Sequence, residues 1–224
     1  MNNQINLVKN INTSQILVGL DLGTKTLGVA VATCHLAVGA LVPHLKSGIG
    51  AIATQAATNP YLGLKGLEKM TSGYSLKDSL LTTLNEDSAK DSRQLHGVDV
   101  SGNAWAWTGN DTVEWSGHKY GKNFSLAGNM LVGEQVLEAC FEVIKSKKEE
   151  PIEERLLQAL KAGEAVGGDV RGRQSAALLT IKDQPFPFCH LRVDDNRDPL
   201  SELEHLLQEF RRPYYQEFLD AIPS

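Results

Sequence analysis

Residues 14–33 read SQILVGLDLGTKTLGVAVAT, and the fold turns on this stretch. SQILVGLDL has the β pattern, GTKT is turn-prone, and LGVAVAT is β-branched and largely apolar, so that it suits a strand buried on both faces. A hairpin therefore opens the domain. LAVGALV (36–42) and SGIGAIATQA (47–56) follow as two more short apolar runs, with glycines that allow sheet or ligand to approach the backbone closely. Four strands by residue 56 predict layered sheets.

Beyond them the period changes. NPYLGLKGLEKMTSG (59–73) has apolar residues at 61, 64, 67 and 70, with Asn59 as N-cap and Pro60 at the first helical position. SLKDSLLTTLN (75–85) predicts a second helix capped by Ser75. Between 93 and 129 a period of two returns: RQLHGVDV, the tight turn Ser101-Gly102, NAWAWTG, a looser loop through EWSGHKYGKN, then FSLAGNML. Gly133 to Lys147 is amphipathic, KSKKEEP is a solvated junction, and Pro151 opens PIEERLLQALKAGEA. SAALLTIK and CHLRVDD form a final strand pair. Asp198 caps the closing helix, SELEHLLQEF, with Pro199 at its first position. Strands, helices, strands, helices and strands in that order indicate an α+β sandwich rather than a parallel βαβ sheet.

Composition bounds the function. The chain has 224 residues, 42% hydrophobic and 22% charged, so a disordered, collagen-like or coiled-coil protein is excluded. A net charge of −5, with no long basic stretch, does not build the field that nucleic acid requires, and none is expected as partner. Cys34, Cys140 and Cys189 are an odd, widely spaced set, which speaks against a disulfide framework or a zinc knuckle and for a reducing compartment. The first dozen residues hold no apolar h-region, and no run approaches eighteen apolar residues, so the expectation is an unexported cytoplasmic protein with no membrane partner.

Three tempting motifs fail. GGDVRGR (167–173) mimics a phosphate loop, but Arg173 and Gln174 stand where Lys and Ser/Thr belong, and a helix precedes it. Asp194, Asn196 and Asp198 mimic a calcium loop, yet Pro199 takes the glycine position and His205 the bidentate glutamate position. The six histidines never fall in HxH or HExxH spacing. No metal and no cofactor are expected.

LGVAVATCHLAVGALVP (27–43), GIGAIATQAATNPYLGLKGLE (48–68), LAGNMLVG (126–133) and GGDVRGRQSAALL (167–179), followed by LRVDDNRDPLSEL, form an ordered set. Together they resemble the family known as domain of unknown function 1028, placed in the Ntn-hydrolase superfamily, over roughly residues 14–210. The resemblance implies a four-layer αββα sandwich of two antiparallel sheets, a 1–13 N-terminal extension, and a single domain over 14–224. It also implies amide hydrolysis, in which a residue at the mature N-terminus attacks an amide carbonyl and its own α-amine is the general base. Strand-to-strand matching puts that nucleophile at Ser14, or at Thr13. Thirteen residues precede Ser14, so either cleavage activates the chain or this copy does not use that chemistry. The substrate would be a small amide or peptide-like molecule bearing a carboxylate; a non-catalytic ligand-binding or assembly protein on the same fold is the alternative.

Other residues join the candidate set. Thr33 and Cys34 end the second strand, where relatives place groups that orient the nucleophile; an unprocessed enzyme using Cys34 or His118 is a third possibility. Gln55 and Asn59 flank a strand-to-helix junction, where amides bind a carbonyl or supply an oxyanion donor, although Asn59 equally serves as a cap. His118, in WSGHKYG, is a candidate proton carrier in a loop, and Asn129 either orients a carbonyl or forms a turn. Asp169, Arg171, Arg173, Gln174 and Ser175 follow a helix and precede a strand; two arginines beside one aspartate make either a structural ion pair or an anion site. Trp105 and Trp107 share a strand face, which favours core or interface packing, and a homodimer is expected.

Overall fold

The computed structural model describes residues 15–223. Strands β1 (Gln15–Asp21) and β2 (Thr26–Thr33) form the hairpin, in register from Gln15 opposite Ala32 to Asp21 opposite Thr26. Alternation then sorts their side chains. Ile16, Val18 and Leu20 face one layer, and Leu17 faces the other.

The remaining elements are β3 (Pro43–Lys46), β4 (Gly50–Ala56), α1 (Pro60–Thr71), α2 (Leu76–Asn85), β5 (Arg93–Asp99), β6 (Ala104–Thr108), β7 (Gly117–Gly121), β8 (Phe124–Gly128), α3 (Gln135–Ser146), α4 (Ile152–Ala165), β9 (Ser175–Ile181), β10 (Cys189–Val193), α5 (Pro199–Phe210) and α6 (Pro213–Asp220). One sheet has six strands in the order β10-β9-β2-β1-β8-β7, and the other has four in the order β3-β4-β5-β6. Every pairing is antiparallel.

Three apolar layers follow from this topology. Ile16, Val18, Val29 and Val31 of the large sheet meet Ala51, Ala53 and Val98 of the small one. Leu17, Ala30, Leu126 and Leu178 pack outward under α3, α4 and α5 through Leu137, Leu156, Leu160 and Leu203. Ile52, Leu95 and Trp105 lie under Leu67 of α1 and Leu80 and Leu84 of α2. The architecture is thus a four-layer αββα sandwich of two antiparallel sheets. Gly19 and Gly28, opposite each other in the hairpin, make a notch for α4: a Cβ at Gly28 would come within 2.6 Å of Leu156, and one at Gly19 within 2.9 Å of Ile152.

The predicted caps are present. Asn59 Oδ1 accepts from the Tyr61 amide at 3.2 Å, Ser75 Oγ from Asp78 at 3.1 Å, and Asp198 Oδ1 from Ser201 at 3.4 Å.

Four local expectations change. LAVGALV is not a strand: Ala37 is left-handed (φ 52°), Val38–Ala40 is a 3-10 turn, and the third strand starts at Pro43. Its amides find partners outside any ladder, Val38 N–H on Ser175 Oγ and Ala37 N–H on the Asp194 carbonyl. The loop around His118 is the edge strand β7. Tyr61 and Leu64 of α1 are exposed, because Gly63 and Gly66 share the inner face with Leu62, Leu67 and Met70 and let the helix settle onto His44 and Ile52. Trp105 and Trp107, by contrast, pack against the α2 side of the small sheet, the core packing expected of them. Finally, α6 extends the chain beyond the last expected helix. No helix among the described residues is long and apolar enough to cross a membrane.

Candidate functional site

Strand β1 enters the large sheet at its centre, with Gln15 between Ala32 of β2 and Gly128 of β8. One residue further along those neighbours come Thr33 and Asn129, both buried. A loop from Gly167 to Gln174 bridges the two strands at this rim. On one side the Val132 amide donates to the Gly168 carbonyl at 3.1 Å, and the Val170 amide to the Met130 carbonyl at 2.9 Å. On the other the Gln174 amide donates to the Thr33 carbonyl at 3.0 Å. Positive φ values at Gly168 (57°) and Gly172 (100°) give the loop its tight path.

The loop delivers a half-buried ion pair. Arg171 Nη2 donates to Asp169 Oδ2 at 2.7 Å and Arg171 Nε to Oδ1 at 3.0 Å, in the bidentate manner. Backbone amides complete the carboxylate: Arg171 N–H on Oδ1 at 2.9 Å and Cys34 N–H on Oδ2 at 3.0 Å. The same guanidinium reaches Thr33 Oγ1 at 3.3 Å. Asp169 thereby ties the Arg171 side chain to the end of β2.

A second network lies between the sheets, organised by Gln94 of β5. Its Oε1 accepts from Gln55 Nε2 and from Asn129 Nδ2, the latter at 2.9 Å. Its Nε2 faces the Gly128 carbonyl at 2.8 Å, the Gly117 carbonyl at 3.1 Å and Thr108 Oγ1 at 3.0 Å. Thr108 in turn bonds His118 Nδ1 at 2.8 Å. Two residues along β5, His96 is fully buried, with Nδ1 against Ser125 Oγ at 3.0 Å and Nε2 without a partner. Burial, and then the nearby His118, push its pKa down to about 3, so it is neutral. Burial also lowers the pKa of His118. Gln55 Oε1 is a second buried atom without a partner. The residues after Gln55 and Asn129, Ala56 (φ 62°) and Met130 (φ 55°), hold left-handed backbone that ordinary side chains avoid, a strain found where function demands a fixed geometry.

Six of the expected residues thus gather in two networks: Thr33, Asp169 and Arg171 at the rim, Gln55 and Asn129 on Gln94, with His118 attached through Thr108. Others do not join. Asn59 is a cap whose Nδ2 donates to Asp87 Oδ2 at 2.8 Å. Arg173 is held by Glu164 and stands 3.6 Å from Asp198, so no guanidinium of the pair is left over for a substrate carboxylate. The Gln174 side chain donates to Asp195, and Ser175 Oγ donates to the His35 carbonyl, pinning the turn after β2. Ser14 and Thr13 lie outside the described residues. Sequence reasoning passed over Gln94 and His96, although a polar pair spaced by two on a strand already puts both on one face.

A family model described as "Family of unknown function (DUF1028)" matches residues 16–203. Among solved structures, the chain is similar to protein SPO2555 from Silicibacter pomeroyi, itself described as DUF1028, with 30% identity, a TM-score of 0.87, and coverage of 94% of this chain and 95% of that one. A slighter likeness, with 10% identity, a TM-score of 0.43, and coverage of 94% and 99%, is to Anbu (ancestral beta-subunit) from Yersinia bercovieri. No curated protein matches. Over nearly its whole length, then, the chain belongs to the DUF1028 family.

Proposed function

We propose that the protein is an Ntn-type hydrolase of a small amide or peptide-like substrate, with the hydroxyl of Ser14, or of Thr13, as nucleophile. The observation that carries this reading is the closure of the Asp169–Arg171 loop onto Thr33 at the point where Gln15 enters the sheet. Ser14 is the residue joined to Gln15. Cleavage before it would free an α-amine. The hydroxyl oxygen attacks the amide carbon, the α-amine takes the hydroxyl proton and passes it to the departing amine, and water then hydrolyses the acyl ester to a carboxylic acid.

The neighbouring groups suit these steps. Arg171 brings a guanidinium to the end of β2. Asp169 is a positioning residue that fixes the guanidinium. Gln55 donates one amide hydrogen to Gln94, which leaves it a second hydrogen for a carbonyl oxygen that gains charge.

The test is the intact mass and N-terminal sequence of protein made without an N-terminal tag, wild type beside a Thr13→Ala, Ser14→Ala variant. The expected result is a mature wild-type chain starting at Thr13 or Ser14 and no processing of the variant. Full-length chains in both would overturn the hydrolase and favour a non-catalytic binding protein on this fold.

A further inference from the structure

At the far end of β1, roughly 20 Å from the rim by strand length, the β1–β2 turn, the β7–β8 turn and the junction of α3 with α4 surround a cavity of about 650 Å³. That volume is typical of small-molecule sites. Its walls are of two kinds. Phe124 and Phe141, with ring centroids 5.5 Å apart, form an apolar side together with Ile144 and Ile152. Arg155, Lys122, Lys145 and Lys148 supply four cations against two carboxylates, Asp21 and Glu149, within a chain whose net charge is −5.

Arg155 distinguishes this cavity from a mere basic patch. It is 8% exposed, and its Nε is buried with no hydrogen-bond partner. Arg93, Arg171 and Arg211 each hold a carboxylate, whereas among the described residues none pairs with Arg155. Asp21 and Glu150 attract it only through space; Asp21 Oδ1 is already engaged by the amides of Gly23 at 2.9 Å and Thr24 at 3.2 Å, and Glu150 by Lys147 at 3.0 Å. Burial lowers the pKa of Arg155, the direction expected of a cation short of a counter-charge. A buried, unpaired guanidinium is costly, and an anion entering the cavity relieves that cost.

We propose that this cavity binds a small amphiphilic oxyanion, a carboxylate or phosphate monoester on an apolar body, with Arg155 taking the head group and the Phe124–Phe141 wall the body. The planar fork of a guanidinium fits either head group, and the lysines at the mouth raise the local concentration of anions. The site is independent of the chemistry at the other end of the strand.

Calorimetric titration of the intact protein with octanoate, octyl phosphate and octyltrimethylammonium tests it. Saturable binding of octanoate or octyl phosphate is expected, and which binds tighter identifies the head group; the cation does not bind. Arg155→Met weakens the preferred anion about tenfold or more, the worth of a charge-assisted hydrogen bond. Should that variant fail to fold, a Lys145→Glu, Lys148→Glu double variant alters the same cavity from exposed positions and weakens the anion comparably. Failure of both anions to bind at millimolar concentration, equal binding of anion and cation, or unchanged affinity in folded variants would overturn the site.

Discussion

The layer between the sheets contains two regions that are equally buried and chemically opposite. Around Ile16, Val18, Val29 and Val98 it is dry, and each side chain stabilises the fold simply by leaving water. Around Gln55, Gln94, His96 and Ser125 it is just as inaccessible, yet polar. Gln94 meets every demand of its amide, while Gln55 Oε1 and His96 Nε2 do not. An apolar layer of the same shape would avoid that cost. Buried polar atoms without partners, flanked by strained backbone at Ala56 and Met130, mark a region shaped by something other than stability.

The largest effect should come from breaking each region in turn. Ile16→Ala removes most of a fully buried side chain and is expected to cost about 3 kcal/mol in urea unfolding. Gln94→Leu leaves two amide donors and two backbone carbonyls without their partner and should cost about 2 kcal/mol. Were Gln94→Leu instead to stabilise the protein, the polar region would be only a tolerated defect and the contrast would collapse.

A graded effect is read against pH. The folded-state pKa of His96 is about 3, below its ordinary 6.5, so unfolded chains bind the proton first. The stability tied to His96 is full above pH 6.5 and is lost as pH falls towards 3, at about 1.4 kcal/mol per pH unit. His96→Leu should flatten that slope without loss at neutral pH; unfolding midpoints at several pH values would show a parallel slope if His96 were irrelevant.

Asn59→Ala, outside both regions, sets the lower bound. It should cost about 1 kcal/mol through the lost cap, seen as a lower melting temperature. Turnover of any substrate found should be unchanged, and its loss with stability intact would return Asn59 to the site.

Sequence legibility divides along the same boundary. The hairpin, the caps and the final strand pair were readable because each rests on local rules: period, turn residues and a side chain reaching its own backbone. LAVGALV misled because its amides are satisfied by Ser175 and Asp194, more than a hundred residues away. The site was half readable. Thr33, Asn129, Gln55 and Asp169 stand at ends of elements, where chemistry-bearing residues draw notice. Gln94 is the second residue of β5, between Arg93 and Leu95, and only the packing of two sheets reveals that its polar face looks inward.

The Gly19–Gly28 notch has a consequence for assembly. A helix that fits only where two missing side chains coincide is a gauge of strand alignment. If β1 slid by two residues along β2 the hydrophobic faces would still match, but the gap would split and α4 would ride up on a Cβ. The correct hairpin is the one the helix can close over, so docking of α4 proofreads a pairing that alternation alone would leave ambiguous.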